Sequence, residues 1–146
     1  AGAREAAMRG VHGVAASLAA GDDFERAAAS AASVARAVAG RPGDRPVLVN
    51  LNYPAGPFDG PRPGPLGGRR YPHVVERREA PGGGRGYFWL GGPPVEDDEA
   101  PGSDGWLVAR GVASATALGL DQTDRDGTGR IAAWLPTAHE RGGENA

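Results

Sequence analysis

The 146 residues carry 16 basic and 18 acidic side chains with both signs interspersed, a formal charge of −2, so no sustained field draws in nucleic acid or an anionic membrane surface. Every basic residue is arginine and there is no cysteine, which excludes Schiff-base or P-loop lysine chemistry, thiol catalysis, disulfides and cysteine-ligated zinc. An apolar fraction of 40% supports one core, but aromatics at 6% and a bias to alanine and valine predict a thin one, completed by another segment or subunit. No apolar run approaches the roughly 20 residues of a membrane span and no leader pattern is present, so the expected location is cytoplasmic.

Residues 1–9 form an alanine-rich helix stopped by Gly10, with no capping residue in front of it. Residues 11–18 have the length and composition of a strand, and Gly21 marks a turn. Asp22 as cap and Glu25 three residues later suggest a capping box. Phe24, Ala27, Ala28, Ala31, Val34, Ala35 and Val38 then recur at helical spacing until Gly40 and Pro42, a helix of about four to five turns with one apolar face. Val47, Leu48, Val49 and Leu51 make residues 46–52 a strand. The order helix, strand, helix, strand predicts parallel strands joined by crossover helices. The opening helix has no strand before it, so the fold is expected to begin upstream of Ala1.

Glycine (25) and proline (13) concentrate in residues 53–68, 80–86 and 91–105, which read as loops. Between them, residues 70–79 and 87–90 flank a turn at 81–84, a hairpin with a long arm. Its first strand is charged (Glu76, Arg77, Arg78, Glu79). The return strand is aromatic, and alternation sends Phe88 to the face opposite Tyr87 and Trp89. At least one ring therefore points away from whatever the arm covers in its own chain, and wants a surface to pack on. Ser103 or Asp104 caps a short helix ended by Gly111, and residues 112–120 alternate as a strand. Ile131, Trp134 and Leu135 form a last apolar patch before a polar tail, residues 136–146, expected to be disordered.

Local motifs assign no chemistry. The glycines at 82–84 and 86 precede an aromatic strand rather than a helix, so they suit a turn and not a phosphate cradle. Asp124, Asp126, Thr128 and Gly129 match part of a calcium loop, but Leu135 stands where its bidentate glutamate belongs, which leaves a solvated loop. The run Glu96, Asp97, Asp98, Glu99 reads as a solvated acidic loop, and His12, His73 and His139 lack metal-ligand spacing.

The order of features resembles the SurE family of survival-protein nucleotidases. Residues 2–17 look like the family's alanine-rich helix and following strand, and Val49, Asn50, Leu51, Asn52, Tyr53, Pro54 resemble its "LNVNVP" strand. Gly67, Arg70 and Tyr71 stand where the family's hairpin begins, and residues 86–91 resemble its "G..YYW.G" return strand. Gly102, Ser103 and Asp104, followed by residues 111–118, Asp121 and Thr123, resemble "GTD....A...G.VS.TPL..D.T". Ser103 replaces the family's threonine and Ala117 its proline.

The resemblance implies a Rossmann-like three-layer α/β/α fold, present in part, with a protruding hairpin arm. It makes residues 1–135 the C-terminal part of a single domain, with the arm at about 69–92. It further implies hydrolysis of nucleoside 5′- or 3′-monophosphates with Mg²⁺ or Mn²⁺, and an arm (Arg70, Tyr71, Tyr87, Phe88, Trp89) that joins subunits into a homo-oligomer. Ser103 and Asp104 are the expected substrate-proximal residues. The family's metal ligands, a paired aspartate with a serine and an asparagine, are expected upstream of Ala1. No catalytic or metal-binding residue is therefore assigned within the chain, and the chain alone is expected to be inactive. The other reading is a non-catalytic remnant that acts as an interaction module through its arm. An in-frame Asp-Asp after a strand in the upstream coding sequence discriminates the two.

Overall fold

The computed structural model describes residues 1–41, 45–68, 74–80, 82–90 and 100–135. In chain order the elements are α1 (Gly2–Met8), β1 (Gly13–Leu18), α2 (Phe24–Ala39), β2 (Leu48–Tyr53) and β3 (Asp59–Pro63). They continue with β4 (Val75–Arg78), β5 (Tyr87–Leu90), α3 (Asp104–Val108), β6 (Val112–Leu118) and α4 (Arg125–Trp134). Among the described residues no helix is long and apolar enough to cross a membrane.

Helix α2 forms where its apolar spacing predicts, but Asp23 rather than Asp22 caps it, accepting from the Arg26 N–H at 3.2 Å. With the cap at 23, the third helical position is Arg26, so Glu25 is one residue too early to close a capping box. The face bearing Ala27, Ala31, Val34 and Val38 packs against Val49, Leu51 and Tyr53 of β2 and Ala113 of β6. Tyr53 is fully buried, its hydroxyl donating to Ser30 Oγ at 3.2 Å and its ring 5.0 Å from that of Phe58. Small side chains on α2 let the helix lie close to the sheet, which makes the core thin.

Four strands form the main sheet in the order β1-β2-β6-β3. β1 and β2 run parallel, Gly13 opposite Leu48 through Leu18 opposite Tyr53, with α2 as the crossover the alternating pattern predicts. β6 returns antiparallel to β2, and β3 runs parallel to β6. The expected α/β architecture is thus observed, with a mixed sheet.

Two elements lie where the sequence suggests loops. β3 falls in the proline-rich segment 53–68, and Pro61 and Pro63 lack backbone donors. Both are tolerated because β3 is an edge strand, needing partners on one side only. α4 replaces the expected solvated loop. Asp124, the first residue of the partial calcium template, instead caps the helix by accepting from the Gly127 N–H at 2.9 Å. Just before it, hydrogen bonds from the Thr123 hydroxyl and N–H hold the Asp121 carboxyl below its usual range.

The hairpin of β4 and β5 pairs Val75 with Leu90, Glu76 with Trp89, Arg77 with Phe88 and Arg78 with Tyr87. Every residue of both strands is exposed. Arg70, Tyr71, His73, the acidic run at 96–99 and the tail at 136–146 lie outside the described residues.

Candidate functional site

The sequence Leu48, Val49, Asn50, Leu51, Asn52, Tyr53 sorts its side chains by alternation. Val49, Leu51 and Tyr53 face α2, so Asn50 and Asn52 face the other side of the sheet. Strand register extends this polar face: Asn52 lies beside Ser17 of β1 and Ser114 of β6, and Ser114 in turn beside Arg62 of β3. Asn50 lies beside Thr116, whose hydroxyl donates to the Gly64 carbonyl at 2.9 Å.

Helix α3 and the segment 64–68 cover part of this face and leave a groove of about 660 Å³. Ser17, Asn50, Asn52, Gly67, Asp104 and Val108 are among the residues that line it. The carboxyl ends of the parallel strands β1 and β2 open into it, the position at which ligands enter open α/β sheets.

Asp104 organises the groove. Its Oδ1 accepts from the backbone N–H of Gly67 at 2.7 Å and of Gly105 at 2.9 Å, and its Oδ2 accepts from Asn52 Nδ2 at 3.3 Å. One carboxylate therefore ties together β2, the segment after β3 and the start of α3. Its own N–H donates to the Pro65 carbonyl at 2.9 Å, a second tie to the same segment.

Ser103, proposed beside Asp104 as substrate-proximal, is fully buried, and its Oγ accepts from the Trp106 N–H at 3.4 Å as the cap of α3. It sits beneath the groove, and Asp104 faces into it. Tyr87, Phe88 and Trp89 are on the hairpin and do not line the groove. Ser17, Asn50, Asn52 and Gly67 were not expected in the site. The available signal was the pair of asparagines at i and i+2 in an otherwise apolar strand, since such alternation in a buried strand reserves one face for polar work.

Among the described residues Ser114 Oγ is buried and has no hydrogen-bond partner. An unmade hydrogen bond at a buried hydroxyl costs roughly 1–3 kcal/mol. Ser114→Ala is therefore expected to raise the thermal midpoint by about 3 °C or more, read by calorimetry. A lower midpoint would mean that the hydroxyl is bonded in solution.

Among the described residues no three histidine, aspartate or glutamate side chains converge. Among the described residues Asp104 is the one carboxylate lining the groove, and two backbone N–H groups already occupy its Oδ1. Mg²⁺ takes one or two carboxylates with free oxygens in a near-octahedral shell. The described groove does not fit that requirement.

The sequence profile described as "Survival protein SurE" matches residues 1–73. A "5'-nucleotidase SurE" of Anaeromyxobacter sp. (strain K) is 40% identical over 145 residues, covering 97% of this chain and 57% of that protein. Another, of Sorangium cellulosum, is 42% identical over 125 residues, 83% of this chain and 48% of that protein. The SurE protein of Aquifex aeolicus, solved by crystallography, superposes with a TM-score of 0.65 at 24% identity over 91% of this chain and 55% of its own, a likeness in fold. The chain thus spans a little over half the length, 57%, of the curated relatives it matches over most of its own length.

Proposed function

The chain belongs to the SurE survival-protein family, and we propose that it supplies the substrate-side groove of a metal-dependent nucleotidase that hydrolyses nucleoside 5′- or 3′-monophosphates. The observation that carries this reading is the groove itself. It lies at the carboxyl ends of β1 and β2 and is lined by Ser17, Asn50, Asn52 and Asp104, all able to hydrogen-bond a polar ligand. A divalent ion such as Mg²⁺ or Mn²⁺, held by residues outside the described groove, would supply Lewis-acid chemistry to such a reaction. The described residues bind and orient. Asp104 holds segment 64–68 and the Asn52 amide in place, so the groove is ready before the ligand enters.

The test is phosphate release from a nucleoside monophosphate with and without Mn²⁺. It would be run on this chain alone and on the chain joined to the amino-terminal segment of the Anaeromyxobacter relative. The chain alone is expected to give no metal-stimulated release and the chimera a clear one. Mn²⁺-stimulated turnover by residues 1–146 alone would overturn the assignment of the metal shell to another segment. A folded but inactive chimera would overturn the nucleotidase reading.

The bare hairpin favours a second role, subunit docking, whether or not the chain is catalytic. On one face Arg78 lies over the Trp89 ring at 5.0 Å and binds Glu76 at 2.8 Å, so that ring already has a partner. On the other face Val75, Phe88 and Leu90 are 57%, 69% and 81% exposed. Burying such a side chain against a second copy contributes about 1.5–3 kcal/mol. Phe88→Ala is therefore expected to weaken self-association roughly 10- to 150-fold, and Trp89→Ala less. Light scattering across a concentration series reads this out, and an unchanged mass for both variants would remove the hairpin from the interface.

A further inference from the structure

We infer that the Asn52–Asp104 pair recognises the vicinal hydroxyls of ribose, so that the groove holds the nucleoside end of the substrate and prefers ribonucleotides to deoxyribonucleotides. This rests on the nucleotidase reading above and adds which part of the substrate lies in the groove.

The pair keeps hydrogen-bonding capacity that its partners among the described residues do not use. A carboxylate offers about four acceptor sites. Among the described residues three are used: two on Oδ1 by Gly67 and Gly105, and one on Oδ2 by Asn52. Oδ2 keeps one acceptor site. Because a carboxylate only accepts, the Asn52 atom facing it must be Nδ2, which fixes the amide. Asn52 is left with its carbonyl oxygen and one N–H. The pair therefore presents two acceptors and a donor within one hydrogen-bonded unit, on rigid elements.

A vicinal diol matches that set. Each hydroxyl donates once and accepts besides, so one can donate to Asp104 Oδ2 while the other donates to Asn52 Oδ1 or accepts from its N–H. A phosphate does not match, because its oxygens accept only and Oδ2 would face them as a second anion. Asp104 carries the one formal charge among the described lining residues, and it is negative. Val108 and Ala109 add apolar wall suited to the carbon face of a sugar.

Binding to this chain is measured by NMR, following the Asn52 side-chain amide and the Gly67 and Gly105 N–H signals during titration with adenosine, 2′-deoxyadenosine and inorganic phosphate. Adenosine is expected to shift all three, and 2′-deoxyadenosine to bind about tenfold more weakly, the loss of one hydrogen bond to a charged group. Phosphate is expected to leave them in place. Asn52→Ala, shown to unfold cooperatively, is expected to bring the ribose-to-deoxyribose ratio close to one. Equal affinity for the two nucleosides, no shift with adenosine, or a shift with phosphate alone would each overturn the inference. The unmodified chain supplies these readings even where Asn52→Ala does not fold. The two proposals fail separately. A chimera that cleaves the ribo- and deoxyribonucleotide equally well sinks this one and leaves the nucleotidase reading. A ribose preference in binding without phosphate release in the chimera does the reverse.

Discussion

Gly13→Ala should leave the chain without a cooperative thermal transition. Gly13 begins β1, is buried, and donates its N–H to the Val47 carbonyl at 2.8 Å, so its position is set by the β1–β2 ladder. A Cβ added there would stand 2.8 Å from the Ala3 carbonyl carbon and against the Ala3 oxygen. Both belong to the backbone of α1 and cannot rotate away as a side chain would. The helix would have to lift, exposing Ala7, now 2% exposed, and opening the packing beneath it. Overpacking against backbone falls among the large single-residue losses, about 4 kcal/mol or more. That is a large part of the roughly 5–15 kcal/mol that holds a domain of this size. Gly2→Ala is the matched control. Nothing lies within 4 Å of the added methyl, and alanine in a helix is favoured over glycine by about 0.5–1 kcal/mol. Circular dichroism melts of the two variants decide the matter. A Gly13→Ala midpoint within a few degrees of the parent would show that α1 is not packed against β1.

Asp104→Ala should lower stability by about 2–4 kcal/mol and abolish ligand binding in the groove, because one truncation removes hydrogen bonds to three segments. The Gly67 and Gly105 N–H groups would be left without that acceptor, and the Asn52 amide would be free to turn. Asp104→Asn separates the two functions of the side chain. Its carbonyl oxygen can still accept from Gly67 and Gly105, so the segment 64–68 should stay in place. Its amide would then face the Asn52 amide, which must turn over to accept from it. The asparagine variant is expected to keep most of the thermal midpoint while losing ligand affinity. Hydrogen exchange at Gly67 follows the first effect and nucleoside titration the second. If exchange at Gly67 is unchanged in Asp104→Ala, the carboxylate does not hold the segment.

How much of this was legible beforehand depended on whether the cause was local. Helix α2 and strands β1, β2, β5 and β6 lie within about two residues of where periodicity places them, since each is specified by its own apolar spacing and stops, whereas β4 is the four residues Val75–Arg78 within an expected 70–79, of which 70–73 lie outside the described residues. β3 was missed because Pro61 and Pro63 argue against a strand unless it is known to be an edge, and edge position belongs to the assembled sheet. α4 was missed because Gly127 and Gly129 weaken its pattern, and its start is marked by a cap whose ligand-like spacing pointed elsewhere.

The sequence by itself determined the family, through blocks in matching order. It also determined the alternation of β2 that places Leu51 and Tyr53 on one face and Asn50 and Asn52 on the other. Which of those faces would be filled by a helix and which would stay open was decided by tertiary structure, because it depends on where the small residues of α2 can lie close to the sheet. The groove was decided in the same way. Asn52 and Asp104 are 52 residues apart in the chain. They meet only because β6 returns antiparallel beside β2 and carries α3 to the ends of the parallel strands. Local periodicity encodes which way a side chain faces, and only the register of distant strands brings two such side chains within hydrogen-bonding reach.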